Sequence, residues 1–291
     1  MMFNLTGSTA IDRLALTGDY FTHKLANHPL LQMDEIRKLV KRIPKDGLFY
    51  SAGIKPESAI IGDWHTHPGK HPLDHAIDNM ENADAYMYIL GPEVDPQFHT
   101  LYLEIQADLE EFCRRNGYRL TDSRLGLFIS SPRAIAPHHI DEQHTFIAQI
   151  RGSKTMYQWP AGNAEVTTPK ELETFFAGVT RKLAIKKEQE HLRTAFDMKP
   201  GNGVYIPFAA PHSVINGDEV SISLSIIFNT ATTKKLQHIH RANHALRTWL
   251  GRAPKAPGDK VIAGAPENLM EVLAGNVADV RKAGGCKVCG G

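Results

Sequence analysis

The alternation of apolar and polar positions changes character twice along the chain, near positions 123 and 230. Before the first change the pattern is mixed, with helical spacing over 33–41 and 101–115. Between the two changes, short apolar runs follow one another with turn residues between them, which is typical of many short strands. After the second change, helical spacing returns over 234–250 and 266–282.

The middle part predicts a double-stranded β-helix, the jelly roll of cupins, because its strands are short and closely spaced. Its predicted strands are 125–131, 145–152, 154–160, 193–198, 203–207 and 219–229. One helix is inserted among them: Thr168 is its N-cap, Pro169 its first residue, and Glu171 completes a capping box. The fold class is therefore mainly β with flanking helices.

Three regions follow from these patterns. We predict a mixed α/β region over 1–123 that packs on the barrel, a jelly-roll core over 124–230, and a C-terminal helical extension over 231–291 with a flexible tail. In the first region, strands are expected at 48–51 and 85–90. The stretch 52–80 is rich in Gly, Pro, His and Asp and is expected to be a long loop.

Composition limits the class of protein. The 291 residues carry a formal net charge of +1, which argues against bulk nucleic-acid binding because such a face needs excess Lys and Arg. No segment reaches the roughly 20 apolar residues that span a membrane. The first residues lack the basic and apolar segments of a signal peptide. We therefore expect a cytoplasmic protein that has no membrane partner.

The strongest chemical signal is the segment 137–141, PHHID. His139 and Asp141 are two apart, so on a strand their side chains would share one face. Two histidines and one carboxylate form the facial triad of non-haem Fe(II) enzymes, which leaves coordination positions open. His212 is the expected third ligand, because the turn, strand and bend of GNGVYIPFAAPH would return it to the first pair.

Three other histidines are weighed against these ligands. His138 competes with His139, but strand alternation makes His139 the partner of Asp141. His191 is an alternative to His212, although it lies in a charged, helix-like stretch. His144 is expected near the ligands or facing a substrate rather than on the metal.

An iron site of this kind that uses 2-oxoglutarate also needs a fixed cation for the far carboxylate of that cosubstrate. Lys154 fits, since it lies between two predicted strands shortly after the first ligands, whereas 220–230 contain no Lys or Arg. A lysine acts as a point charge, so neighbouring hydroxyl groups should assist it. The candidates are Thr145, Tyr157 and Ser225.

The segment 139–154, HIDEQHTFIAQIRGSK, resembles the core of JmjC-type hydroxylases, especially the asparaginyl hydroxylases of the factor-inhibiting-HIF type. GNGVYIPFAAPHSV resembles the approach to their distal histidine, and the resemblance covers about 124–230. It implies that His139, Asp141 and His212 bind Fe(II) and that Lys154 binds 2-oxoglutarate. Ala136 and Thr145 replace the Thr and Asn usual at those positions, so the remaining cosubstrate contacts should differ.

The resemblance also implies a reaction. With O₂, 2-oxoglutarate is decarboxylated to succinate, and a ferryl species abstracts a substrate hydrogen before the carbon is hydroxylated. The first expectation is hydroxylation of a protein or peptide side chain. The alternatives are hydroxylation of a small molecule and a non-catalytic cupin that binds a metal or ligand; demethylation and desaturation stay open. The helix 234–250 could form a homodimer or only pack on the core.

Two further motifs carry weaker signals. His65-Thr66-His67-Pro68 followed by Asp78 resembles a zinc-metallopeptidase site, but His75 replaces its usual Ser and no suitable upstream Glu is evident. The alternative to a zinc site is that these residues form a loop on the barrel mouth. Cys286 and Cys289 form a CxxC pair in a Gly-rich tail, without the four ligands that a structural zinc site needs.

Overall fold

The computed structural model describes residues 3–4, 16–60, 65–183 and 185–250. The predicted linker, second C-terminal helix and CxxC tail lie outside these residues. The strands are β1 Phe3–Asn4, β2 Asp19–His23, β3 Leu48–Ala52, β4 Ala85–Leu90, β5 Leu120–Ser130, β6 Ile135–His139, β7 His144–Arg151, β8 Lys154–Gln158, β9 Thr194–Met198, β10 Asn202–Ile206, β11 His212–Asn216 and β12 Ser221–Thr230. The α-helices are α1 Met33–Arg42, α2 Leu73–Asp78, α3 Pro96–Arg115, α4 Pro169–Phe176 and α5 Ala231–Leu250.

The strands form two antiparallel sheets. The large sheet has the order β1-β2-β10-β7-β12-β5-β4-β3, and the small sheet has the order β6-β11-β8-β9. A hydrophobic cluster joins the sheets with side chains from both, including Ile147 and Val204 of the large sheet and Met156, Phe196 and Val214 of the small one. This is the predicted jelly roll, with its core between the sheets.

Strand alternation gives the large sheet two differently used faces. On β5, Leu125, Leu127 and Ile129 are buried in a second cluster that also contains residues of α1 and α3. Between them, Arg124 and Phe128 point to the opposite face, toward the small sheet. Because helices cover one face and the small sheet faces the other, several strands are apolar throughout rather than alternating.

The N-terminal region contributes strands to the large sheet at both of its edges. β2 pairs with β10, while β3 and β4 continue the sheet beyond β5. The predicted boundary between 123 and 124 therefore falls inside β5. Neither β2 nor β11 was among the predicted strands. The expected loop over 52–80 is wrong in one part, since α2 forms over Leu73–Asp78 and buries Ala76 and Ile77.

The helix α3 begins five positions before its predicted start at 101. Asp95 caps it by accepting the Gln97 N–H at 3.1 Å, and Pro96 occupies the first turn, where its missing N–H costs nothing. Asp95 also accepts a hydrogen bond from Arg42 of α1 at 2.7 Å. The two helices are thus tied together at the end where α3 starts.

The helices α4 and α5 pack on each other beside the barrel. The predicted capping box of α4 is present, with Thr168 and Glu171 bonded reciprocally. Glu173 is fully buried and accepts two hydrogen bonds from Arg247 of α5, at 2.6 and 3.1 Å. Within the described residues, none of the helices is long and apolar enough to cross a membrane.

This buried ion pair predicts a stability effect. Arg247→Met should lower the free energy of unfolding by about 3–5 kcal/mol, because the Glu173 carboxylate would remain buried without its partner. The double variant Glu173→Leu/Arg247→Met should recover most of that loss, since no charge is then left buried. Urea unfolding followed by circular dichroism measures both.

The control is the exposed pair Arg114–Glu111, whose nitrogen and oxygen atoms are 2.8 Å apart. Arg114→Met should leave the midpoint of urea unfolding almost unchanged, because solvent screens exposed pairs. An equally small effect of Arg247→Met would contradict the assigned role of the buried pair.

Candidate metal and cosubstrate site

The pairing of β6 with β11 brings two of the predicted ligands together. His139 and His212 are directly opposite each other in the register, and their ring centroids are 4.0 Å apart. Asp141 follows the end of β6, so it is not on the strand as predicted, yet its Oδ2 is 3.8 Å from Nε2 of His212. Ligand atoms of all three residues lie within 4.8 Å of one another. They form the sole cluster of this kind among the described residues.

Backbone carbonyl groups orient both imidazole rings. Nδ1 of His139 is 2.7 Å from the Pro137 carbonyl oxygen, and Nδ1 of His212 is 3.0 Å from that of Ala210. A ring that donates from Nδ1 keeps the Nε2 lone pair for a metal ion, as is usual for ligating histidines. The two Nε2 atoms and the Asp141 carboxylate therefore form a 2-His-1-carboxylate donor set, which suits Fe(II).

The electrostatics of the site also favour metal binding. Withdrawal from water, followed by the nearby His212 ring, lowers the pKa of His139 to about 4. His139 is therefore neutral near pH 7, which is the form that coordinates a metal. A divalent cation could be held by His139, His212 and Asp141 together.

Strand alternation separates His138 from the ligands. Its side chain points away from His139, where Nε2 is 3.3 Å from Glu57 and the ring meets Trp159 edge-on at 5.4 Å. His144 is also remote from the donor set. Its Nδ1 accepts hydrogen bonds from the Tyr205 hydroxyl at 2.8 Å and the Phe208 N–H at 3.0 Å.

His191, the alternative third ligand, lies outside the site. It lies in the 3₁₀ helix Lys187–Leu192, is exposed, and its Nδ1 is 2.7 Å from the Glu188 carbonyl oxygen. Burial lowers the pKa of His144 to about 3, so that ring is a neutral structural group rather than a substrate contact. Neither His191 nor His144 belongs to the ligand cluster.

Glu142 connects the ligand loop to the C-terminal helix. Its carboxylate lies 3.1 Å from Arg181 and 3.5 Å from Arg241, and its carbonyl oxygen accepts a hydrogen bond from Gln237 of α5 at 2.6 Å. The carbonyl of Asp141 accepts the Ala209 N–H at 3.2 Å. These contacts fix the backbone on which the Asp141 carboxylate is carried.

A cavity of about 930 Å³ opens from the three ligands between the two sheets. Its walls include Lys154, Thr145 and Ser225, all predicted to contact the cosubstrate. Tyr157 is not in these walls. It is three residues from Lys154 on β8, so it points to the opposite face, where Arg193 lies 4.0 Å above its ring.

Two of the cavity groups lack the partners that burial normally requires. Thr145 Oγ1 is buried and has no hydrogen-bond partner within the described part of the chain. Lys154 is 8% exposed, and burial lowers the pKa of its amine to about 7. A buried ammonium and an unsatisfied hydroxyl both cost stability. Both would be satisfied by a carboxylate, so the residues present fit 2-oxoglutarate.

Several cavity residues were missed by the sequence analysis. They are Phe49, Tyr86, Tyr88, Arg124, Phe128 and Asn216. Asn216 lies opposite Lys154 in the register of β11 with β8 and donates to Ser130 and to the Ser131 carbonyl. The period-2 alternation of β4 and β5 was a usable signal for the aromatic positions. It could not indicate which face met the small sheet.

The zinc-metallopeptidase alternative has no support among the described residues. His65, His67 and Asp78 do not form a metal-ligand cluster. Instead, Asp78 lies 3.4 Å from Arg37 of α1, and the His67 carbonyl accepts the Ala52 N–H. The described residues therefore give the zinc alternative, which the sequence already disfavoured, no ligand cluster.

A jelly roll with a 2-His-1-carboxylate set at the inner end of a cavity defines a metal-dependent cupin. Residues 106–236 match the family model of the JmjC domain. The segment is therefore similar to the JmjC domain, which occurs in 2-oxoglutarate-dependent oxygenases that use Fe(II), 2-oxoglutarate and O₂. The predicted resemblance and fold class are confirmed, while the closer similarity to factor inhibiting HIF stays a prediction.

Other comparisons give distant similarities. No curated protein matches the sequence. The chain is similar to the Escherichia coli ribosomal oxygenase YcfD, with 14% identity over 97% of this chain and 69% of that chain and a TM-score of 0.48. It is also similar to YcfD in complex with cobalt and 2-oxoglutarate (15% identity, 94% and 64% coverage, TM-score 0.45). The DMSP lyase DddQ from Ruegeria pomeroyi DSS-3 is more distant (11% identity, 37% and 38% coverage, TM-score 0.25).

The opposite orientations of His138 and His139 predict different effects on metal affinity. His139→Ala should weaken Mn(II) binding more than about 100-fold. Losing a residue that only hydrogen-bonds a ligand costs about 10–100-fold, and losing the ligand itself should cost more. His138→Ala should keep the wild-type affinity within a few-fold. Isothermal titration of each apoprotein with Mn(II) measures the difference, and thermal unfolding checks that both variants are folded. Equal losses in the two variants would contradict the ligand assignment.

Proposed function

We propose that this protein is an Fe(II)- and 2-oxoglutarate-dependent hydroxylase that acts on a side chain of a protein or peptide. The observation that carries the proposal is the donor set of His139, Asp141 and His212 in one cavity with the unpaired Lys154 and Thr145 groups. Bound there, Fe(II) and 2-oxoglutarate supply oxidation of a C–H bond by O₂, with release of succinate and CO₂.

Each residue has a defined task in this proposal. The Nε2 atoms of His139 and His212 and one Asp141 oxygen hold the metal, leaving positions for the cosubstrate and O₂. The Lys154 ammonium receives the far carboxylate of 2-oxoglutarate, and the Thr145 hydroxyl donates to it. Ser225, opposite Ile147 in the register of β12 with β7, provides a second hydroxyl nearby.

The cavity volume supports a large substrate. At about 930 Å³ it is near the upper end of the roughly 300–1,000 Å³ typical of small-molecule sites. It therefore has room for the cosubstrate and for a reacting side chain. Arg124 is exposed and the neighbouring aromatic rings of Phe49, Tyr88 and Phe128 are only partly buried, so the cavity is a cleft that a peptide could cross. A small molecule would also fit the volume, and that alternative stays second.

The first test is an anaerobic titration of the apoprotein with Fe(II) and 2-oxoglutarate. Wild type should show the weak visible charge-transfer band of the chelate, and Lys154→Ala and Asp141→Ala should weaken or abolish it. The control is Lys41→Ala, since Lys41 is an exposed lysine of α1 that does not line the cavity. Wild type that binds iron without the band would favour the cupin without turnover.

The lowered pKa of Lys154 predicts how 2-oxoglutarate affinity depends on pH. The free protein has an amine with a pKa of about 7, and a bound carboxylate must raise that pKa. Binding therefore takes up a proton above pH 7. The dissociation constant should be flat below pH 7 and rise up to about ten-fold per pH unit above it.

Calorimetry of 2-oxoglutarate binding to the protein saturated with Mn(II), from pH 6 to 9, measures this dependence. Buffers of different ionisation enthalpy report the proton uptake directly. Lys154→Arg should bind with little change over the same range, because arginine stays charged. A dissociation constant that is independent of pH in wild type would contradict the pairing of Lys154 with the cosubstrate.

A further inference from the structure

Three aromatic rings form a continuous strip along the cavity wall. Phe49 of β3 stacks on Tyr88 of β4 with centroids 6.0 Å apart and planes at 24°. Tyr88 stacks in turn on Phe128 of β5 at 4.4 Å and 16°. All three rings line the cavity and are half-buried. We call this set, Phe49, Tyr88 and Phe128, the aromatic strip.

The register of the strands produces this arrangement. Phe49 is opposite Tyr88, and Tyr88 is opposite Phe128, so the rings are cross-strand neighbours on one face. Gly126 leaves space for the middle ring, because a Cβ at Gly126 would lie 2.7 Å from Cε2 of Tyr88. The Tyr88 ring therefore lies flat against β5 and offers apolar surface to the cavity rather than to the core between the sheets.

Arg124 lies at one end of the strip, two residues before Gly126 on the same face of β5. It is exposed, lines the cavity, and has no carboxylate within ion-pair distance in the part of the chain that the structure describes. The nearby Glu93 faces Arg124 without forming an ion pair with it. Burial raises the pKa of Glu93, while its backbone hydrogen bonds, including that from the Leu125 N–H at 3.2 Å, and the Arg124 charge oppose the rise. Arg181 also lines the cavity, but its charge is paired with Glu142 at 3.1 Å.

Arg124 and Phe128 lie four residues apart on the same face of β5, so Arg124 stands beside the strip along the strand direction. Ile227 of β12 is opposite both Arg124 and Thr145, so Arg124 shares a row of the sheet with the cosubstrate contact Thr145. A chain that contacts Arg124 and the strip therefore passes close to the cosubstrate site.

The charges expected at the metal end of the cavity sum to zero without the charge of Arg124. A divalent metal and Lys154 carry three positive charges, which Asp141 and the two carboxylates of 2-oxoglutarate neutralise. Arg124 is thus left with its charge after the metal and the cosubstrate are bound. A planar guanidinium on a cavity wall binds a carboxylate well, through two parallel hydrogen bonds.

We propose that the substrate is an acidic peptide segment that pairs a carboxylate with Arg124 and lays an apolar side chain on the aromatic strip. The reacting side chain then enters the inner cavity. This inference rests on the proposed function, because it treats the cleft as the substrate site of that reaction. The exposed charge of Arg124 and the half-buried rings of Phe49 and Tyr88 on the cavity wall carry it.

A peptide selection tests the proposal without turnover. A displayed library of random twelve-residue peptides is selected on protein loaded with Mn(II) and 2-oxoglutarate, in wild type, Arg124→Glu and Lys41→Glu. Lys41 is an exposed residue of α1, in the helical layer on the other face of the large sheet, and it provides the same change of charge. Wild type and Lys41→Glu should enrich Asp or Glu near an aromatic or large apolar residue. Arg124→Glu should lose that acidic preference.

The most enriched peptide is then synthesised with each acidic residue replaced by its amide, and binding is measured by fluorescence anisotropy. One replacement should weaken binding to wild type about ten-fold, the size expected of a charge-assisted hydrogen bond. The same replacement should hardly change the affinity for the Arg124→Gln variant, because that variant has already lost the interaction between the two groups. Tyr88→Ala should weaken the same peptide through loss of the apolar contact.

Three results would overturn the proposal: no peptide enriched above the support, an enriched set without acidic bias, or an acidic bias that Arg124→Glu retains. The outcome is independent of the chelate titration, because Fe(II) and O₂ are absent. If the protein forms the chelate but binds no acidic peptide, the proposed oxygenase function stands and the acidic substrate class is ruled out. If it binds acidic peptides through Arg124 without forming the chelate, the proposed oxygenase function is ruled out instead.

Discussion

The antiparallel pairing of β6 with β11 is the constraint on which the site depends. It places His139 directly opposite His212, although the two residues are far apart in the chain. A shift of one residue in this register would turn His138 toward the cavity and remove His139, because neighbouring side chains on a strand point to opposite faces. Carbonyl groups of Pro137 and Ala210 then fix both rings, so the metal-ligand geometry is set by the backbone.

The large sheet uses one set of strands for two purposes. Its outer face packs on α1 and α3 and contributes Leu125 and Leu127 to the core. Its inner face contributes Thr145 and Ser225 to the cavity wall, whereas Lys154 and the two ligand histidines come from the small sheet. The Thr145 hydroxyl and the Lys154 amine reduce stability while they lack partners. Their retention in an otherwise apolar interior is consistent with a site organised in advance for an anionic cosubstrate.

The C-terminal helix takes part in the same construction. Gln237 of α5 donates to the carbonyl of Glu142, next to the ligand Asp141. The same helix is joined to α4 by the buried pair of Arg247 with Glu173. The helix α5 is connected to the metal-ligand loop itself through the Gln237 hydrogen bond and the ion pair of Arg241 with Glu142 at 3.5 Å. The expected homodimer through this helix stays a prediction.

The sequence by itself determined the local features. The spacing of apolar residues predicted most strands and helices, Thr168 predicted its capping box, and the HxD segment with the distal histidine predicted the donor set. Only the tertiary structure decided which strand faces meet. It turned Tyr157 away from Lys154 and put Arg124 and the aromatic strip into the cleft. The physical reason is that local alternation defines two faces of each strand, whereas pairing between distant strands decides which face lines the cavity.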